Sequence, residues 1–138
     1  MKIIYTAGVW DLLHRGHLNV FKASRAMGDR LIVGVVADAS YKGVEPAWTL
    51  AQRVQYVMAC PYVDLAVVQP GTDPTPALVR LDSVGACPAV MTHGDDWEVL
   101  REGQETLEAL GIEWKLIPYT DGISSTELRD GIPELQEA

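Results

Sequence analysis

The feature that most constrains this chain is its alternation, from end to end, of short apolar runs with stretches of helical periodicity. Ile3 to Gly8, Leu31 to Ala37, Leu65 to Gln69, Ala89 to Thr92 and Trp114 to Pro118 are each short enough to be strands buried on both faces. Between them, His17 to Met27, Leu50 to Met58, Thr75 to Leu81 and Glu98 to Leu110 read as helices, with a short terminal helix from Ser125 to Gly131. Gly28 and Gly111 read as left-handed caps, and Thr49-Leu50-Ala51-Gln52 and Ser124-Ser125-Thr126-Glu127 spell capping boxes. Strand and helix alternating through one compact chain give the α/β class: a single doubly wound, Rossmann-like domain over residues 1–138 around a parallel sheet of about five strands. Ligands of such sheets bind beyond the carboxyl ends of the strands, so the loops that follow the strands should carry the function. The connection from Asp38 to Trp48 is the longest without a clear pattern and reads as a mobile flap.

Composition narrows the partners. Lys and Arg total 11 against 19 Asp and Glu, a net charge of -8, which opposes non-specific binding to nucleic acid or an anionic membrane. Any anionic ligand must be met by a local site. No stretch approaches the roughly 20 apolar residues of a membrane span, and nothing at the start reads as a signal peptide. Cys60 and Cys87 form neither a CxxC pair nor a disulfide framework, so a reducing, cytoplasmic setting is expected.

Two of the three histidines fall in His14-Arg15-Gly16-His17, directly after the first strand and at the start of the first helix. A spacing of three puts both imidazoles on one side of the first turn, Gly16 permits close approach to the backbone, and the helix tip adds N–H donors. Such a pair can bind phosphate and stabilise charge growing in a transition state; it can also bind a metal or merely cap the helix.

The neighbours of this pair bear a resemblance. Gly8-Val9-Trp10-Asp11-Leu12-Leu13-His14-Arg15-Gly16-His17 resembles the Gly-x-Phe-Asp-x-x-His-x-Gly-His signature of the cytidylyltransferase-like nucleotidyltransferases, with Trp10 for the usual Phe. Asp121-Gly122-Ile123-Ser124-Ser125-Thr126 is similar to their Gly-Ile-Ser-Thr-Thr/Ser segment, and His93-Gly94-Asp95-Asp96-Trp97 to a Gly-Asp-Asp-Trp segment after the fourth strand of the glycerol-3-phosphate cytidylyltransferases, the nearest branch. The resemblance implies that His14 and His17 contact the nucleotide phosphates, that the backbone of Ala7, Gly8 and Val9 lines the phosphate path, and that Asp11 holds Mg²⁺ or orients the site. It places Lys42 where a lysine closes on the phosphates and Arg53 where an arginine meets the triphosphate or the acceptor. His93, Gly94, Asp95 and Asp96 lie beside base and ribose, a carboxylate or carbonyl there accepting from the cytosine amine. Tyr119, Thr120, Gly122, Ile123, Ser124, Ser125 and Thr126 form the last nucleotide-binding segment, with hydroxyls and helix-tip amides for phosphate.

Two departures mark this chain. Tyr119 stands where the family writes arginine before Thr-x-Gly-Ile-Ser, and Pro61 stands before Tyr62-Val63-Asp64 where the glycerol-3-phosphate enzymes have another arginine. A tyrosine cannot reproduce a bidentate, permanently charged contact. The expected function is therefore transfer of CMP from CTP to a small phosphorylated or phosphonate acceptor, with Mg²⁺ as cofactor and a homodimer as the assembly. An ATP-dependent adenylyltransferase and a non-catalytic nucleotide-binding module are the alternatives. A redox dinucleotide domain is disfavoured because no Gly-x-Gly-x-x-Gly follows the first strand.

Overall fold

The structure is a computed structural model and describes residues 1–95 and 102–118. Five strands, β1 (Ile3–Gly8), β2 (Arg30–Val36), β3 (Leu65–Gln69), β4 (Val90–Gly94) and β5 (Glu113–Ile117), form one sheet in the order β3-β2-β1-β4-β5. Every pairing is parallel. Helices α1 (Arg15–Ala26), α2 (Leu50–Met58), α3 (Thr75–Ser83) and α4 (Gln104–Leu110) connect them. The order reverses beside β1, which places the switch point of a doubly wound sheet between β1 and β4.

The period of two along each strand builds two cores. Ile4, Leu31, Val33, Val35 and Val90 pack with Phe21 of α1 and Val57 of α2 on one face. Tyr5, Ala7, Ile32 and Met91 pack with Leu78 and Leu81 of α3 and Leu107 of α4 on the other. Strands sandwiched this way need side chains that are apolar on both faces, which is why they read as continuous apolar runs.

Several local expectations are corrected. Helix α1 begins at Arg15 rather than at His17, because His14 itself is the N-cap. Gly28 is not a left-handed cap; Met27 ends the helix in right-handed geometry, and Gly28 is needed because a Cβ there would lie 2.7 Å from the Lys2 carbonyl. Gly111 does adopt φ +70° and closes α4, and Thr49 and Gln52 do form the capping box of α2. Residues 102 and 103 precede α4, and Gly103, at φ +89°, is its N-cap. The segment from 38 to 48 contains a single 3-10 turn, Ser40–Lys42, closed by Gly43. The expected terminal helix, Trp97, and the residues from Tyr119 onward lie outside the described residues.

Candidate active site

The carboxyl end of β1 leads through an unusual turn into α1. Trp10 and Leu12 both adopt left-handed backbone geometry, φ 56° and 49°, although neither is glycine. Each such residue costs on the order of 1 to 3 kcal/mol and persists only where its surroundings hold it. Here they do. The Trp10 indole N–H donates to the Gly34 carbonyl at 2.9 Å, and Leu12 is buried. Gly8 must lack a side chain, since its Cβ would approach the Trp10 ring to 2.9 Å.

The turn aims two imidazoles. His14 Nδ1 accepts the Gly16 N–H at 3.0 Å, and His17 Nδ1 accepts the His14 N–H at 3.3 Å, so the two histidines form a reciprocal capping box. Their rings stack with centroids 3.9 Å apart, and the edge of Trp10 closes against His17 at 5.5 Å. An Nδ1 that accepts a backbone N–H leaves the ring proton on Nε2. No hydrogen bond among the described residues uses either Nε2. Burial pushes the His14 pKa from 6.5 down to about 4. His17 falls well below its ordinary value, through burial first and then the charges of His14 and Lys42. Both rings are neutral near pH 7.

Asp11 and Arg53 fix the surroundings of the pair. The two Asp11 carboxylate oxygens accept the backbone N–H groups of Ala47 and Trp48, each at 2.9 Å, and so pin the end of the 38–48 segment beside the histidine turn. Arg53 is 3 % exposed, not a surface residue. Its Nη1 donates to the carbonyls of Val9 at 2.9 Å and Val36 at 2.7 Å, and its Nε to that of Trp48 at 3.3 Å. Three chain segments thus meet on one guanidinium. Burial lowers its pKa and the charge of Asp11 acts against that. Lys42 is exposed at the end of the 3-10 turn, near enough for its charge to bear on His17.

Asp11 holds the loop with both carboxylate oxygens, and each of them, accepting one N–H, keeps a lone pair with which it would still meet a cation. Among the described residues no three His, Cys, Asp or Glu side chains gather as metal ligands.

Beyond β1 the carboxyl edge holds a small, partly open cleft. Ala7, Gly8, Val36, Tyr41, Gln69, Thr72, Met91 and His93 line it. Neither His14 nor His17 lines it, whereas Gly8, at the end of β1, does. His93 stacks on Trp114 at 5.9 Å, and Asp95 begins the segment after β4 with its N–H on the Ile117 carbonyl. Pro61 precedes β3 beside the start of β2, where Asp64 N–H meets the Leu31 carbonyl, at the opposite edge of the sheet from the histidines. Asp96, Tyr119, Thr120, Gly122, Ile123, Ser124, Ser125 and Thr126 lie outside the described residues.

The lining also includes Tyr41, Gln69 and Thr72, which sequence reasoning did not single out. Gln69 carried a signal, a polar side chain ending an otherwise apolar strand.

The comparisons with known proteins decide the family. The cytidylyltransferase-like family model matches residues 5–131. This chain belongs to the cytidylyltransferase-like family. It is similar to the ethanolamine-phosphate cytidylyltransferase of Dictyostelium discoideum, 39% identical over 137 residues that cover 92% of this chain and 36% of that protein. It is also similar to the bifunctional protein HldE of Yersinia pestis, 34% identical over 136 residues, covering 95% of this chain and 28% of that one. The chain thus spans about a third of the length of the curated relatives it matches. Among solved structures, the lipopolysaccharide core biosynthesis protein of Thermoplasma volcanium GSS1 superposes with a TM-score of 0.71 at 28% identity, covering 87% of this chain and 97% of the other. Pantoate-beta-alanine ligase from Francisella tularensis, 14% identical with a TM-score of 0.58 over 99% of this chain and 70% of its own, shares the fold. The matched residues of this chain thus form a cytidylyltransferase-like domain. No helix among its described residues is long and apolar enough to cross a membrane.

Proposed function

We propose that this cytidylyltransferase-like domain transfers CMP from CTP to a small phosphorylated or phosphonate acceptor and releases pyrophosphate. The observation that carries the reading is the His14–His17 capping box, which presents two neutral Nε2–H donors at the tip of α1, beside the carboxyl end of β1. An acceptor oxygen attacks the α-phosphorus in line, the bond to the bridging oxygen of pyrophosphate breaks, and the electron pair leaves with pyrophosphate. The acceptor phosphate is already ionised near pH 7, so no general base is required. His14 and His17 keep their protons and stabilise the charge that grows on the phosphoryl oxygens. Lys42 closes from the 38–48 segment as a cation for the same phosphates, while Arg53 and Asp11 hold that segment and the Val9 carbonyl in place. Ala7, Gly8, Val9 and Gly16 supply close backbone, and His93, Gly94 and Asp95 border the base.

Mg²⁺ remains the proposed cofactor; when bound it would offset the negative charge of the phosphates, and Asp11 is the described residue that would help to hold it. The assembly is a homodimer. Supporting it, β3 is an edge strand with Leu65 and Val68 exposed, and neighbouring α2 exposes Tyr56 and Met58. The setting is cytoplasmic, in keeping with two free cysteines.

The test is pyrophosphate release from CTP and from ATP with a panel that includes phosphoethanolamine, glycerol 3-phosphate and a small phosphonate. CTP-dependent release with one of these is the expected result. Release with ATP alone gives an adenylyltransferase. CTP binding by calorimetry without release from any acceptor gives a binding module.

A further inference from the structure

Beneath the cleft a polar strut crosses the sheet. Tyr5, on β1, faces the α3–α4 core and is fully buried, yet its hydroxyl donates to Gln69 Oε1 at 2.6 Å, on the far side of β2. The ring passes over Gly34, the β2 residue between them; a Cβ on Gly34 would lie 2.0 Å from the Tyr5 oxygen. Gln69 Nε2 donates in turn to the Gly71 carbonyl at 2.8 Å. Only one amide orientation satisfies both bonds, because a carbonyl accepts and never donates, so Nε2 must face Gly71 and Oε1 must face the tyrosine.

Three strands therefore contribute a residue to locking one amide that is 1 % exposed and lines the cleft. Apolar residues of the same volume would fill the space at no cost in stability, and a hydrogen-bonded pair of this kind adds little net. What the strut does fix is a wall. Gln69 ties down Gly71, and the next residue, Thr72, lines the cleft and is bound on its other side to the Glu102 carboxylate.

The place of this wall follows from strand order. In the function proposed above, on which this inference rests, the base lies over β4 and β5 and the triphosphate over the tip of α1. The end of the cleft over β2 and β3 is then left for the acceptor. No charged Lys, Arg, Asp or Glu is among the described residues that line it, so it suits the short uncharged part of an acceptor rather than its phosphate. We infer that Gln69 is a specificity-determining residue for the acceptor's organic end and that Tyr5, acting through it across the gap at Gly34, is its positioning residue.

Steady-state kinetics with CTP and the preferred acceptor tests this. Tyr5→Phe is expected to raise the acceptor KM about fivefold to tenfold more than the CTP KM. The double variant Tyr5→Phe/Gln69→Met, which replaces both partners by apolar groups of similar shape and folds if the single variant does not, is expected to raise it at least as far and to relax the preference among acceptors. Wild-type acceptor KM and preference in the double variant would show the strut to be core packing only. Equal changes in both KM values would likewise overturn the inference. Failure of the functional reading looks different, since wild-type protein would then release no pyrophosphate with any acceptor, and both proposals would fall.

Discussion

At the scale of single residues, each ring of the histidine pair has two ends. Nδ1 caps α1, and in the proposed function Nε2 meets the nucleotide, so the two roles can be separated by substitution. Asn is a good N-cap whose side-chain oxygen can take the place of His14 Nδ1 towards the Gly16 N–H, but it offers nothing at the position of Nε2. His14→Asn is expected to keep its thermal stability within about 0.5 kcal/mol of wild type, whereas His14→Ala loses about 1 kcal/mol with the cap. Both should lose turnover by about 10² to 10³, the usual effect of removing one donor to transition-state charge. If His14→Asn turns over like wild type, the ring is only a cap. The same burial sets a pH dependence. Between about 4 and 6.5 the unfolded chain binds a proton at His14 that the folded chain does not, so acid favours unfolding and stability falls as pH drops from 6.5 towards 4. His17 adds in the same direction. Thermal melts across this window should show a shallower loss for His14→Asn than for wild type; equal slopes would mean that the ring is not held neutral by the fold.

At the scale of elements, the 38–48 segment is tethered at one end by a carboxylate and joined to β1 and β2 by a guanidinium. Asp11→Ala removes two charge-assisted hydrogen bonds to Ala47 and Trp48 and is expected to cost about 3 kcal/mol in urea denaturation. Turnover should fall about a hundredfold through misplaced groups rather than lost contacts. Restoration of activity by excess Mg²⁺ would instead trace the loss to the hold of Asp11 on the metal. The sequence made the strands legible because buried parallel strands must be apolar on both faces; β3 and α2 keep the bounds read from it, Leu65–Gln69 and Leu50–Met58. It was less informative where a residue acts outside its usual role. Histidine is not among the common N-caps, so the start of α1 was read late. Glycine is the common left-handed cap, so Gly28 was read as one, although its task is to let Lys2 come close. The left-handed Trp10 and Leu12 leave no trace in composition, since their geometry is imposed by tertiary contacts from Gly34 and the core. Arg53 was placed by resemblance, but its three carbonyl partners come from segments far apart in the chain and only the fold brings them together.

At the scale of the whole molecule, the described residues of the proposed site lie at the carboxyl end of the sheet, in the 38–48 segment and at Arg53 of α2. Among the described residues no strand pairs with the outer edge of β3, which carries Leu65 and Val68 at 44% and 49% exposure, next to α2 with its exposed Tyr56 and Met58. An apolar edge strand is a template for pairing with another chain, and monomeric proteins commonly guard such edges with lysine or proline. Leu65–Gln69 itself holds neither. A second copy of the chain meeting it about a two-fold axis would cover the same four side chains from both partners. Val68→Lys sets two positive charges against that axis, where burial is unfavourable for each and the pair repels. In sedimentation, wild-type protein is expected to run as a dimer at micromolar concentration and Val68→Lys as a monomer, with the variant's melting temperature dependent on concentration only weakly. Because the histidines proposed to meet the nucleotide, at the tip of α1, follow the central strand β1 rather than β3, CTP binding by the monomer should stay within a few-fold of wild type. A wild-type monomer would remove the dimer, and a variant that dimerises unchanged would move the interface elsewhere.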